Sequence, residues 1–133
     1  MVMAWSAVLL VAGLRPASAG VARPLPSGYD GVFALQPGQW AVPAELTVTG
    51  RRGRIFRATL VLGGAAAYSG FGTLLPDGSF RLEVCAGAVC YRMLGRMSPD
   101  GTLLSGQFAA LYAGHPGDVF GNFLLRASPA NDE

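Results

Sequence analysis

From Tyr29 onward, apolar residues fall in short runs or alternate with polar ones, and each stretch is closed by Gly or by Pro with Gly. No 11-residue window repeats apolar positions at the i, i+3, i+4, i+7 spacing of an amphipathic helix without a Gly or Pro inside it. The pattern predicts an all-β domain of about eight strands, near residues 31–36, 44–49, 54–62, 66–75, 80–86, 89–97, 102–112 and 119–126. Most of the intervening turns are far shorter than a parallel crossover needs, so the strands are expected to form an antiparallel up-and-down meander.

A weak internal repeat fits that meander. Tyr68, Gly72, Pro76, Asp77 and Gly78 recur as Tyr91, Gly95, Pro99, Asp100 and Gly101, a constant shift of 23 residues. In each copy Pro presets the first turn angle, Asp can bond the backbone two residues on, and Gly takes the left-handed position. Two copies suggest a repeated hairpin and fall short of a solenoid.

The segment around the two cysteines, LEVCAGAVCYR, specifies its own register. A two-residue Gly87-Ala88 turn of type II′ pairs Ala86 with Val89 and places Cys85 opposite Cys90 in a non-hydrogen-bonded pair, at a separation a disulfide can bridge. The same register sets Glu83 against Arg92, and puts Leu82 beside Met93 and Val84 beside Tyr91 on the other face. A structural Cys85–Cys90 disulfide is therefore expected, with no metal site, because further ligands are lacking.

Leu103-Leu104, the run from Phe108 to Tyr112, and Phe123-Leu124-Leu125 put apolar side chains on both faces of their strands. An open sheet of this many strands would leave one face and two edges wet. Closure into a small, closed or nearly closed barrel removes both problems, with a two-layer β-sandwich as the alternative.

Ahead of the domain, residues 4–14 form an apolar run of 11, too short to span a bilayer but suited to the core of a secretory signal. Arg15-Pro16 and the small residues Ala17-Ser18-Ala19 follow, which predicts cleavage between Ala19 and Gly20. Only the amino terminus supplies positive charge before the run, and a buried N-terminal helix or strand is the competing expectation. The organisation expected is a signal peptide over 1–19, a flexible leader over 20–28, one β-domain over 29–127 and a polar tail over 128–133. The destination expected is periplasmic or secreted, with no stable membrane span once the signal is removed.

Composition narrows the function without naming it. At 51% apolar and 14% charged, the 133-residue chain can bury enough surface to fold, which excludes intrinsic disorder. Its ten basic residues are all Arg and face eight acids, and a formal charge of +2 is too small for a nucleic-acid or membrane-surface footprint. There is one His, His115, in a Gly-His-Pro-Gly context that suggests a solvated turn. Asp77 and Asp100 are explained by their turns and Glu83 by Arg92, leaving Asp30, Glu45 and Asp118 scattered near strand ends. No catalytic or cofactor pattern is present, so no enzyme activity, metal or cofactor is expected. The one charge concentration, Arg51, Arg52 and Arg54, is a candidate interaction tip, though such runs more often guard a sheet edge.

Gly31-Val32-Phe33 on the first strand and Arg126 on the last resemble the calycin barrels, the lipocalins and avidins, which open with G-x-W and place a basic residue near the end against it. Phe stands here where that pattern has Trp. The resemblance implies an apolar ligand cavity inside the barrel. The G-x-F opening and the PDG-punctuated strands are also similar to small secreted bacterial β-meander proteins. The leading expectation is an exported, non-enzymatic barrel serving as an envelope or secreted binding module. Its alternatives are a calycin-like carrier of a small apolar ligand, and an inhibitor or partner of a periplasmic enzyme using the Arg tip or the segment 114–118.

Overall fold

A computed structural model describes residues 25–36 and 40–128. The signal peptide, its Ala19/Gly20 junction, most of the leader and the tail beyond Ser128 lie outside the described residues. Eight strands follow in order: β1 (Gly28–Gln36), β2 (Trp40–Arg52), β3 (Ile55–Leu62), β4 (Ala66–Leu74), β5 (Ser79–Ala86), β6 (Val89–Met97), β7 (Leu103–Tyr112) and β8 (His115–Ala127). Each is antiparallel to the next, and β1 pairs with β8 from Tyr29↔Ala127 to Gln36↔Phe120, closing the sheet into a barrel. A single closed sheet replaces the sandwich alternative.

β2 and β8 are much longer than the sequence pattern suggests. β2 runs from Trp40 through Pro43 and Gly50, which look like breakers. Pro43 is exposed on the outer wall, and a register shift between Val48 and Gly50 absorbs one extra residue as a bulge. β8 begins at His115 because the β7–β8 turn is only Ala113-Gly114, both with positive φ (53° and 83°). The loop expected over 114–118 is thus mostly strand, with its irregularity taken up by a register shift between Ala109 and Leu111.

Alternation sends one side chain of each pair inward, where Phe33, Leu46, Leu60, Leu82, Met93 and Leu125 are almost wholly buried. The Phe33 ring meets Phe108 at 4.5 Å, Phe123 at 5.8 Å and Tyr91 at 6.3 Å between centroids, so side chains from β1, β6, β7 and β8 meet on the axis. A void near one end, lined by Leu25, Val48, Phe56, Met97 and others, holds only about 10 Å³. Leu25 packs there although it precedes β1, and the Ser27 carbonyl accepts from Val48 N at 2.8 Å. Among the described residues the Tyr29 phenol is buried, and no charged side chain is.

The internal repeat has three structural consequences. Tyr68 and Tyr91 meet edge to face at 5.0 Å on the interior side. Gly72 and Gly95 leave room for aromatic rings: a methyl on Gly72 would lie 2.5 Å from Phe56 Cζ, and one on Gly95 would lie 2.9 Å from Phe123 Cζ. Methyls on Gly31, Gly70, Gly106 and Gly121 would run into the backbone of the neighbouring strand, so these positions let adjacent strands approach closely at the bends of a small barrel. Asp77 and Asp100 cap their turns alike. Asp77 Oδ1 accepts from Ser79 N and Oγ at 2.9 and 2.6 Å, and Asp100 Oδ1 from Thr102 N and Oγ1 at 3.1 and 2.7 Å. Gly78 and Gly101 take φ of 93° and 81°.

Candidate functional site

The hairpin of β5 and β6 has the register the sequence specifies: Ala86↔Val89, Cys85↔Cys90, Val84↔Tyr91, Glu83↔Arg92 and Leu82↔Met93. Cys85 and Cys90 are disulfide-bonded across a Cα separation of 4.0 Å. Their sulfurs lie near the Glu83 carboxylate, but bonded to each other they offer no thiolate to a metal. Beside them on the outer wall, Arg92 Nη2 sits 3.0 Å from Glu83 Oε1. With both side chains about half exposed, the pair fixes geometry more than it adds stability.

The arginine tip lies at the opposite end of the barrel. Arg51 and Arg52 close β2 against Phe56 and Ile55, and the turn itself is the two residues Gly53-Arg54, where the sequence suggests the four residues 50–53. Arg51 Nε donates to the Gly53 carbonyl at 2.9 Å, so this side chain folds onto its own turn while Arg52 and Arg54 point to solvent. The remaining polar candidates do not converge on a cleft. His115 is exposed at the start of β8. Asp30 and Glu45 are direct cross-strand partners, yet both are exposed, and Asp30 Oδ2 accepts from Ser128 Oγ at 2.6 Å.

The pairing suggested by the calycin resemblance is not made. Phe33 points into the core, whereas Arg126 is exposed opposite Asp30 on the other face of the wall. The axis is occupied by the protein's own rings, so the large interior cavity that resemblance implies is absent from the described barrel.

The concave surfaces lie on the outer wall. The largest described groove, about 740 Å³, crosses β3 to β6. Its sides are formed by Ile55, Phe71, Arg81, Glu83, Arg92 and Leu94, and Gly72, Thr73 and Leu82 complete the lining. Ile55 is 57% exposed, Phe71 59% and Leu94 46%. Arg57 lies over the Phe71 ring at 5.2 Å, holding that exposed aromatic in place through a cation–π contact. A second groove of about 430 Å³ continues past Arg92 and Leu94 to Gln107, Asn122 and Phe120, the last half exposed.

The disulfide is legible in the sequence, whereas this groove is not. Phe71 and Leu94 break the alternation of their strands, since their inward neighbours are Gly70, Gly72, Met93 and Gly95. Inward glycines hide the phase, and that same break was the available signal.

No protein family matches the chain, and a search of curated proteins returned no match. The fold and surface define its class: a closed eight-stranded antiparallel β-barrel with a packed interior and grooves of mixed apolar and basic character on its outer wall.

Proposed function

We propose that this protein is an exported, non-enzymatic binding module that works through its outer wall. The observation that carries the reading is the contrast between an axis filled by Phe33, Phe108, Phe123 and Met93 and an outer face on which Ile55, Phe71, Leu94 and Phe120 stand exposed. Export is supported by the apolar N-terminal run with its small-residue junction and by the Cys85–Cys90 disulfide, which an oxidising compartment maintains. Among the described residues no helix is long and apolar enough to cross a membrane. Arg57, Glu83 and Arg92 stand on the outer wall, unlike the apolar band of a lipid-facing barrel.

The non-catalytic reading draws support from where the polar groups are engaged. Asp77 and Asp100 are held in turns, Glu83 is held by Arg92, and Asp30 and Glu45 lie open to water. The reading as a carrier with an interior ligand loses support from the 10 Å³ void, because small-molecule sites occupy about 300–1,000 Å³. Docking onto a periplasmic enzyme retains support at the exposed Arg52 and Arg54, but less at 114–118, where residues 115–118 are strand.

Fractionation with N-terminal sequencing tests export. The expected result is a periplasmic or secreted species beginning at Gly20, with cysteines that resist maleimide until reductant is added. An intact cytosolic chain with two reactive thiols contradicts it. Titration with an apolar fluorescent dye, read by amide chemical shifts, tests the outer wall: shifts confined to outward residues are expected, and shifts at Phe33 and Met93 contradict it.

A further inference from the structure

We propose that the groove over β3 to β6 binds a fatty carboxylate, with the carboxylate on Arg81 beside Leu94 and the acyl chain running over Thr73 toward Ile55 and Phe71. This rests on reading the outer wall as the binding surface, and names the place and the ligand.

The three guanidinium groups beside the groove differ in engagement. Arg57 is stacked on Phe71, and Arg92 is paired with Glu83. Arg81 stands between its cross-strand partners Thr73 and Leu94, is exposed, and among the described residues has no hydrogen bond or ion pair. It lines both this groove and a neighbouring concavity over Thr73, Leu75 and Ser79. A guanidinium is a planar fork whose parallel N–H groups match the two oxygens of one carboxylate. The one acid in the lining, Glu83, is held by Arg92, so the groove has a net excess of positive charge without a protein counter-ion at Arg81.

The apolar part follows from the geometry of the wall. Arg81 on β5 shares one cross-strand row with Thr73 and Ile55, and adjacent strands lie about 4.8 Å apart, so a chain headed at Arg81 reaches Ile55 after about 10 Å, within the length of an extended dodecyl chain. Phe71 lies beside that path in the next outward row, opposite Glu83, and Leu94 flanks Arg81 on β6. Covering these exposed side chains with methylene groups removes apolar surface from water on both partners. A protein partner fits the same surface less well. The barrel is closed and offers no free strand edge for augmentation. Nine residues line the groove, against about 20–30 on each side of a standard protein interface.

The test is a titration of the isotopically labelled full chain with laurate below its critical micelle concentration, read by amide and methyl chemical shifts. Dodecyltrimethylammonium, which has the same tail and the opposite charge, serves as the comparison on unaltered protein. Saturable binding is expected, with the largest shifts at Phe71, Arg81 and Leu94 and at least tenfold weaker binding of the cationic analogue. Arg81→Glu and Phe71→Ser should each weaken laurate binding tenfold or more while the spectrum stays dispersed. Absence of laurate binding, equal binding of the two amphiphiles, or shifts elsewhere on the outer wall overturns the groove assignment and leaves the outer-wall reading intact. Shifts at Phe33 and Met93 overturn both.

Discussion

The Tyr29 hydroxyl donates to the Gly101 carbonyl at 2.6 Å, tying β1 to the β6–β7 turn at one end of the barrel. The phenol is buried, and Met97 Sδ lies 3.9 Å from the same oxygen. Desolvation, followed by the nearby Asp100 charge, pushes its pKa well above the usual tyrosine range. The neutral phenol is therefore favoured in the folded state. Its contribution is complete below about pH 10 and is lost as pH rises through the folded pKa. Tyr29→Phe should lower stability at neutral pH by about 1–2 kcal/mol, because it leaves the Gly101 carbonyl short of a partner. It should also flatten the alkaline loss of stability. Urea unfolding at pH 7 and 10.5 checks both; equal slopes against pH in the two proteins would contradict the assignment.

Asp100 governs the opposite limb. The Thr102 hydroxyl, the Thr102 backbone N–H and the Ser98 hydroxyl hold its carboxyl down at about 2. The sign is that of a carboxylate favoured by folding: its contribution is present above the unfolded value of 3.8 and disappears as pH falls to about 2. Asp100→Ala should remove that dependence and loosen the β6–β7 turn, giving a melting temperature that changes less between pH 5 and pH 2 than that of the unaltered protein.

Gly72→Ala places a methyl 2.5 Å from Phe56 Cζ and 2.6 Å from the Arg81 carbonyl oxygen. One clash is with a ring and the other with backbone, so the change should cost about 1–3 kcal/mol. Adding Phe56→Leu to Gly72→Ala should recover part of the loss, since the ring is the movable partner. A double-mutant cycle in denaturant measures this coupling, and simple additivity of the two losses would count against it.

Replacing Cys85 and Cys90 together by Ser should reduce stability by about 2 kcal/mol, in line with the short loop they close. The β5–β6 register should survive, because Glu83↔Arg92 and Leu82↔Met93 still specify it. The midpoint of unfolding and the cross-strand contacts of Arg92 are the two readouts.

The fold was legible wherever turn chemistry and alternation agreed. Gly87-Ala88 specifies a register and the two PDG turns specify an Asp-to-backbone bond and a left-handed Gly, and the structure has all of these. Legibility failed where a residue with a breaker's reputation sits at a tolerated position. Pro43 lies on the outer wall and Gly50 beside a bulge, so β2 is longer than its pattern suggests. The β7–β8 turn was hidden because Ala113 adopts a positive φ that sequence assigns to Gly or Asn. The groove was least legible of all. Its apolar residues come from strands whose inward positions are partly glycine, and it is the register across β3 to β6 that brings Ile55, Phe71 and Leu94 to one surface.

The proposal that binding lies on the outer wall rests on a packed axis, and nuclear Overhauser contacts among the aromatic rings test it most directly. Phe33 should show ring-to-ring contacts with Phe108, Phe123 and Tyr91, alongside backbone contacts between β1 and β8 such as Val32 with Leu124. Phe33 lacking contacts to Tyr91 and Phe108, with water or an apolar solute resonating against it instead, would mean an open interior and would return the binding site to the inside of the barrel.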